Sequence, residues 1–231
     1  MIKIDNVTKV YGNKEALNHI SCIFEQGKIH GLIGENGAGK STLIKCILRM
    51  EKYIGTISID GYFSFGYLPD SLYFYPYMTG REYIEFCLSA KKQKIDENEI
   101  LLQNKVFRLP LNAFCTSYSL GMKKKLALLC LVLQKCSVYI LDEPCNGLDL
   151  TGVIFFKKWC QQQRKKGTTI IISSHLISSL SEICDDILYM HEGQIIKKYQ
   201  KQEFGMIEAD IVEVSNNLQT DAFSNIDLTI T

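Results

Sequence analysis

The 231 residues carry 26 lysines and arginines against 25 acids, a formal net charge of +1. This near-balance excludes the basic footprint of a nucleic-acid or anionic-lipid binder. With 46% hydrophobic and 22% charged residues, the chain is also no disordered or fibrous polypeptide, and it is long enough for one large domain or two lobes.

In chain order, "IKIDNVTKVY" and "ALNHISCIFEQG" are β-patterned around "GNKE" and predict a hairpin. "KIHGLIG" is a short apolar strand that runs into "ENGAGKSTLIKCIL", a loop opening into a helix, and "GTISIDG" is a further strand. Thr79 and Glu82 predict a capping box ahead of the helix "YIEFCLSAKK", and an acidic helix follows around "DENEILLQNKVF". Ser119 predicts an N-cap for a helix running from Leu120 into "LALLCLVLQ". Then come the strand "SVYILDEP", a helix from about Asp149 to Lys165, the strand "TTIIISS", a helix after His175 and a closing hairpin in "DILYMHEGQIIKK".

Strands that alternate with helices and are apolar on both faces predict an α/β fold, a mostly parallel sheet flanked by helices. The first hairpin forms an antiparallel β subdomain beside it. Residues 70–135 pattern as helix without strand and predict an inserted helical lobe; residues 1–69 and 136–205 form the α/β core with its β subdomain. Residues 206–231 are a short tail whose stretch "EVSNNLQTDAFSNIDLTIT" is polar, weakly patterned and loose. The nine cysteines form no C-x-x-C pair and mostly lie in apolar runs, the pattern of a reducing compartment. "MIKIDNVTKVYG" lacks the apolar core of a secretory signal, and the longest apolar stretch, Leu126 to Leu133, is too short to span a membrane. The expectation is a cytoplasmic protein that reaches any membrane through a partner.

"GENGAGKST", Gly34 to Thr42, follows a strand and opens a helix, so its N–H groups and the helix start form a concave anion site. Gly37 and Gly39 admit phosphate close to the backbone, with Asn36 and Ala38 between and beside them. Lys40 reaches the β- and γ-phosphates of a nucleotide such as ATP, the Ser41 hydroxyl ligates Mg²⁺, and Thr42 holds another phosphate oxygen. The buried strand "SVYILDEP" ends in two acids, a costly arrangement unless a cation stands nearby. Asp142 fits as the Mg²⁺ partner opposite Ser41, and Glu143 as the base that polarises a water in line with the γ-phosphate. His175 ends an apolar strand in the same way and falls at the same sheet edge, within reach of that phosphate.

"TSYSLGMKKKL" poses a problem of charge. The helix starting at Ser119 has no acid in its first turn, although that end carries about half a positive charge, and Lys123, Lys124 and Lys125 follow at once. Its bare N–H groups await an anion.

With these pieces in order the chain resembles the nucleotide-binding subunit of an ABC transporter, a P-loop NTPase. The resemblance spans Met1 to about Lys198 and rests on "GENGAGKST" as Walker A, "YSLGM" as signature, "VYILDEP" as Walker B, "NGLD" as D-loop and "SSH" as switch histidine. The variant "YSLGMKKKL" looks most like small single-domain ATPases that serve separate exporters of drugs, peptides or lipids. The resemblance implies an ATP hydrolase that dimerises head to tail with a second ABC ATPase subunit, itself or a paralogue, and drives an integral membrane permease from the inner face of the membrane. It answers the charge problem: Ser119 and Gly121 would grip the γ-phosphate of ATP held by the partner. It also implies that Tyr11 stacks on adenine and that Asp149 links the two sites across the dimer. Two departures stand out. Asp70 follows "YLP" where the family has a glutamine near Mg²⁺ and the attacking water, and only "YFSF" separates Gly61 from Gly66, which leaves the strand order around 60–68 open. The aromatics of "SLYFYPYMTGREYIEF", Tyr73, Phe74 and Tyr75 among them, serve equally as permease contacts or as core. The rivals are an ABC ATPase without a transporter and a weakly active regulatory subunit that binds ATP. Paired cassettes, long coiled coils and a basic surface would favour the first; only Asp70 favours the second.

Overall fold

The computed structural model describes residues 1–61 and 63–214. The loose stretch expected at the end of the chain lies, from residue 215 on, outside the described residues, as does Tyr62 of "YFSF".

The strands are β1 (Ile2–Tyr11), β2 (Lys14–Phe24), β3 (Ile29–Ile33), β4 (Ile54–Ile59), β5 (Phe65–Leu68), β6 (Val138–Asp142), β7 (Thr169–Ser174), β8 (Asp186–His191) and β9 (Gln194–Gln200). The helices are α1 (Lys40–Ile47), α2 (Gly80–Ala90), α3 (Glu97–Phe107), α4 (Leu120–Leu133), α5 (Leu150–Lys165), α6 (Ile177–Ser181) and, after a 3-10 turn, α7 (207–214). A six-stranded sheet runs in the order β5-β6-β7-β3-β8-β9 and is parallel except for β9; a three-stranded antiparallel sheet runs β2-β1-β4. The open question of strand order near residue 60 is resolved: β4 joins the small sheet, and β5 is the edge strand that pairs parallel with β6.

β3, β6 and β7 are buried on every residue, which is why they read as continuous apolar runs. One core lies between the sheet and α2 to α6, around Leu126, Leu129, Tyr139, Phe156 and Ile172. The other lies on the opposite face, where the small sheet and α1 pack through Ile4, Leu17, Leu43 and Ile140. Residues 70–135 hold α2, α3 and α4, with a single bridge between Thr79 and Phe114. The capping box of α2 is present in both directions, Glu82 N to Thr79 Oγ1 at 3.2 Å and Thr79 N to Glu82 Oε2 at 2.7 Å.

Register decides function here. Leu68 aligns with Leu141, Asp142 with Ser173, and Ile33 with Ser174. The loops after β5, β3, β6 and β7 therefore leave the sheet at one carboxyl edge, the place where open α/β sheets bind ligands.

Candidate active site

β3 delivers the chain to that edge at Ile33, and the loop to α1 closes over residues 34–39. Gly37 and Gly39 have φ of +90° and +102°, where a side chain would be strained. A Cβ on Gly39 would also stand 2.7 Å from the Ala16 carbonyl oxygen, so glycine alone lets this loop settle on β2. Gly34 and Ala38 are buried beneath it, and the Ala38 N–H donates to the Glu35 carbonyl at 3.2 Å. The Lys40 ammonium is buried and donates to the carbonyls of Gly34 at 2.6 Å and Glu35 at 2.9 Å. Burial lowers its pKa, while the fields of Glu143, Asp142 and Glu35 oppose that shift.

A cavity of about 290 Å³ opens above the loop. It is lined by Asn36, Gly37, Gly39, Lys40, Ser41 and Thr42 of the loop and the start of α1, by Tyr11, and by Asp70, Asp142 and Glu143. Tyr11 is the last residue of β1, with its ring 4.5 Å from the Lys9 ammonium. Asp142 is buried at the end of β6 and accepts a hydrogen bond from Ser173 Oγ. Glu143 turns the chain with φ +47°, in the left-handed region that a non-glycine residue occupies only when its surroundings hold it there. They do so here: its N–H donates to Ser173 O and Oγ, both at 3.2 Å. His175 Nδ1 lies 2.9 Å from Glu143 Oε1, so the histidine faces the expected base.

The Ser41 hydroxyl and the carboxylates of Asp142 and Asp70 are hard oxygen donors in the lining of one cavity. That set fits Mg²⁺, which takes one or two carboxylates together with substrate phosphate and water. Among the described residues no group of three His, Cys, Asp or Glu side chains could hold a metal by itself.

Ser119 caps α4, its Oγ accepting from Met122 N at 3.3 Å, and neither it nor Gly121 lines the cavity. The first turn of α4 has no acid, and Leu120 is 72% exposed. A Cβ on Gly121 would sit 3.0 Å from the Gly147 carbonyl, which brings the start of α4 against the loop ahead of α5. There Asp149 caps α5 by accepting from Gly152 N at 2.8 Å, and its other oxygen holds Lys125 Nζ at 2.7 Å.

Sequence reasoning missed three residues. Lys14 and Ala16, on β2, line the cavity because the small sheet folds over the loop; nothing local in "GNKEAL" announces it. Lys124, grouped above with the half-buried Lys123 and Lys125, is 2% exposed. The signal was available: Lys124 shares a helix face with Leu128 and Leu131, at i+4 and i+7.

A phosphate-binding loop at a strand–helix junction, with paired acids across the sheet edge, defines a P-loop nucleotide-binding domain. The family model described as "ABC transporter" matches residues 17–146. The chain belongs to the ABC transporter family, among its ATP-binding, ATP-hydrolysing subunits. It is 32% identical over 217 residues to the bacitracin transport ATP-binding protein BcrA of Enterococcus faecalis, covering 88% of this chain and 70% of that one. It is 32% identical over 219 residues to the lantibiotic transport ATP-binding protein SrtF of Streptococcus pyogenes, covering 88% and 93%. A solved ATP-binding subunit of an ABC transporter superposes with a TM-score of 0.82 at 28% identity, covering 93% of this chain and 99% of that one. A dimeric ATP-binding cassette in a post-hydrolysis state with ADP and phosphate, 20% identical, shares the fold with a TM-score of 0.78 over 87% and 99%.

Proposed function

We propose that the chain powers export of a peptide antibiotic or similar cargo through a separate membrane permease, by hydrolysing Mg-ATP between two copies of itself or a paralogue. The observation that carries this reading is a division of parts. One cavity gathers the phosphate loop, Tyr11, Asp70, Asp142 and Glu143, while the exposed Ser119 and the half-buried Gly121 lie outside its lining. A nucleotide held in the cavity lacks a cover, and the start of α4 lacks an anion. Head-to-tail pairing supplies both. Leu120 and Leu150, 72% and 77% exposed, flank that region as apolar surface for a partner to cover.

Tyr11 offers its ring to adenine. The loop N–H groups and Lys40 bind the phosphates, with Lys40 exchanging loop carbonyls for phosphate oxygens. Thr42 holds a further phosphate oxygen. Ser41 and Asp142, with Asp70 beside them, would hold Mg²⁺, which neutralises charge on the β- and γ-phosphates when bound. His175 orients Glu143, and Glu143 accepts the proton of the water that attacks the γ-phosphorus as ADP leaves. After hydrolysis the partner's Ser119 and Gly121 lose their anion and the pair reopens.

The permease would dock on the aromatic surface beside Asp70. Tyr73 and Tyr75 pack edge to face at 5.2 Å and are both exposed, whereas Phe74 turns inward onto Tyr83 at 4.6 Å. On this reading Tyr73 and Tyr75 meet the partner, and Phe74 belongs to the core. Among the described residues no helix is long and apolar enough to cross a membrane, so this docking would place the chain at the inner face of the membrane. Two names support the cargo class: those of the bacitracin and lantibiotic transport relatives.

Glu143→Gln tests the mechanism. Hydrolysis should fall by about 10²–10⁴-fold, the usual contribution of a positioned base. ATP binding should persist, and ATP should drive the variant into a stable dimer by sedimentation. Unchanged turnover removes Glu143 as the base, and a variant that stays monomeric with ATP removes the shared site.

A further inference from the structure

Lys124 is a buried cation that the mechanism above does not use. It is 2% exposed on α4, and no carboxylate of the described residues lies within 4.0 Å of it. A lysine so placed is costly unless surrounding charge compensates it.

The topology shows where it points its charge. α4 ends at Leu133, and four residues later the Ser137 N–H donates to the Ser64 carbonyl at 3.1 Å, at the amino end of β5. α4 therefore runs antiparallel to β5, with its carboxyl end at the amino edge of the sheet. A Cβ on Gly66 of β5 would stand 3.1 Å from Leu131 Cδ2, which fixes the contact between the two elements. Lys124 lies seven residues before Leu131 on the same face, about 10 Å nearer the carboxyl edge. Asp70 lies four residues beyond Gly66, about 13 Å along the strand direction. Both therefore arrive at the carboxyl edge, where Asp70 lines the nucleotide cavity with Asp142 and Glu143. The electrostatics agree: burial lowers the Lys124 pKa, and the carboxylates oppose that shift in the order Asp70, Asp142, Glu143.

We infer that Lys124 is a positioning residue that balances the charge of Asp70 and so lets this cavity accept a polyanionic nucleotide. The inference rests on the nucleotide-site reading. Asp70 adds a third carboxylate to those of Asp142 and Glu143, against the two ammoniums of Lys14 and Lys40 in the cavity lining. Lys124 supplies the opposing charge from behind. Because it rides on the helix whose amino end would grip the partner's nucleotide, the pair also ties that helix to the cavity of its own chain.

The test is a double-mutant cycle of D70Q, K124Q and D70Q/K124Q, read by equilibrium titration of ATP in EDTA and by thermal melting without nucleotide. K124Q should weaken ATP binding on the order of tenfold, a typical coupling within one charge network. D70Q, which removes a negative charge from the cavity lining, should strengthen ATP binding in EDTA, and the double variant should return to within about twofold of the parent, the spread expected of uncoupled sites. K124M, which keeps the apolar stem without the charge, should weaken ATP binding as K124Q does. A double variant as weak as K124Q, or a K124M that binds like the parent, overturns the inference. If the parent itself fails to bind ATP, the nucleotide reading has failed, and melting still decides the pair. Recovery in the double variant of the melting temperature lost in D70Q supports the pair, and additive shifts sink it.

Discussion

The amino ends of α1 and α4 both present backbone N–H groups with no acid in the first turn, yet they are finished differently. The start of α1 is enclosed by its own chain: Gly39 rests against β2, and the Lys40 ammonium is already spent on two loop carbonyls. The start of α4 is open, with an exposed Ser119 and Leu120 beyond it. The first is a complete cradle waiting for phosphate. The second, on the proposed reading, is half a site, and its first turn carries no acid. Burial is what separates them, since the loop needs a precise backbone that only packing can hold, whereas a surface shared with another molecule must stay accessible.

Lys40→Ala breaks the closed end and should have the largest effect. Removing one partner from a buried, hydrogen-bonded charge network costs about 2–5 kcal/mol, so ATP affinity should drop by roughly 30- to several-thousand-fold. Fluorescence titration with a labelled ATP measures it, and affinity within threefold of the parent would remove the loop from the nucleotide site. Ser119→Arg breaks the open end instead. It should leave ATP affinity within about twofold, as for a site remote from the cavity, and abolish steady-state phosphate release. Loss of ATP binding by the isolated chain would show that the two ends belong to one self-contained pocket.

The closed end was the more legible of the two. "GENGAGKST" needs only local backbone geometry, and the strands beneath it announce themselves because full burial leaves no polar position to break the apolar run. The open end was legible as a paradox of charge, and the answer proposed for it rests on the family resemblance. What stayed hidden depends on distance along the chain. His30 and Asp186, 156 residues apart, meet inside the protein at 2.7 Å, and neither sequence neighbourhood hints at the other. Ala16 and Lys14 reach the cavity only because the small sheet folds over it. β5 was ambiguous for another reason: as a four-residue edge strand after a short loop, it carries too little pattern to choose between two sheets.

The subtlest break compares two caps of similar chemistry. Thr79 closes the start of α2 in a reciprocal box with Glu82, while Ser119 makes a single 3.3 Å bond at the start of α4. If both served stability alone, alanine at either would act in proportion to the bonds lost. Thr79→Ala should cost about 1 kcal/mol and lower the melting temperature by about 2–4 °C, leaving hydrolysis unchanged. Ser119→Ala gives up a longer bond in an exposed turn and should lower melting less. Its hydroxyl is nevertheless proposed to meet a charged phosphate on the partner, a contact worth about 1.5–3 kcal/mol, so hydrolysis should fall by about 10- to 150-fold. The two variants should therefore rank in opposite orders by calorimetry and by phosphate release. A shared order in both assays would mean that Ser119 is a helix cap and nothing more.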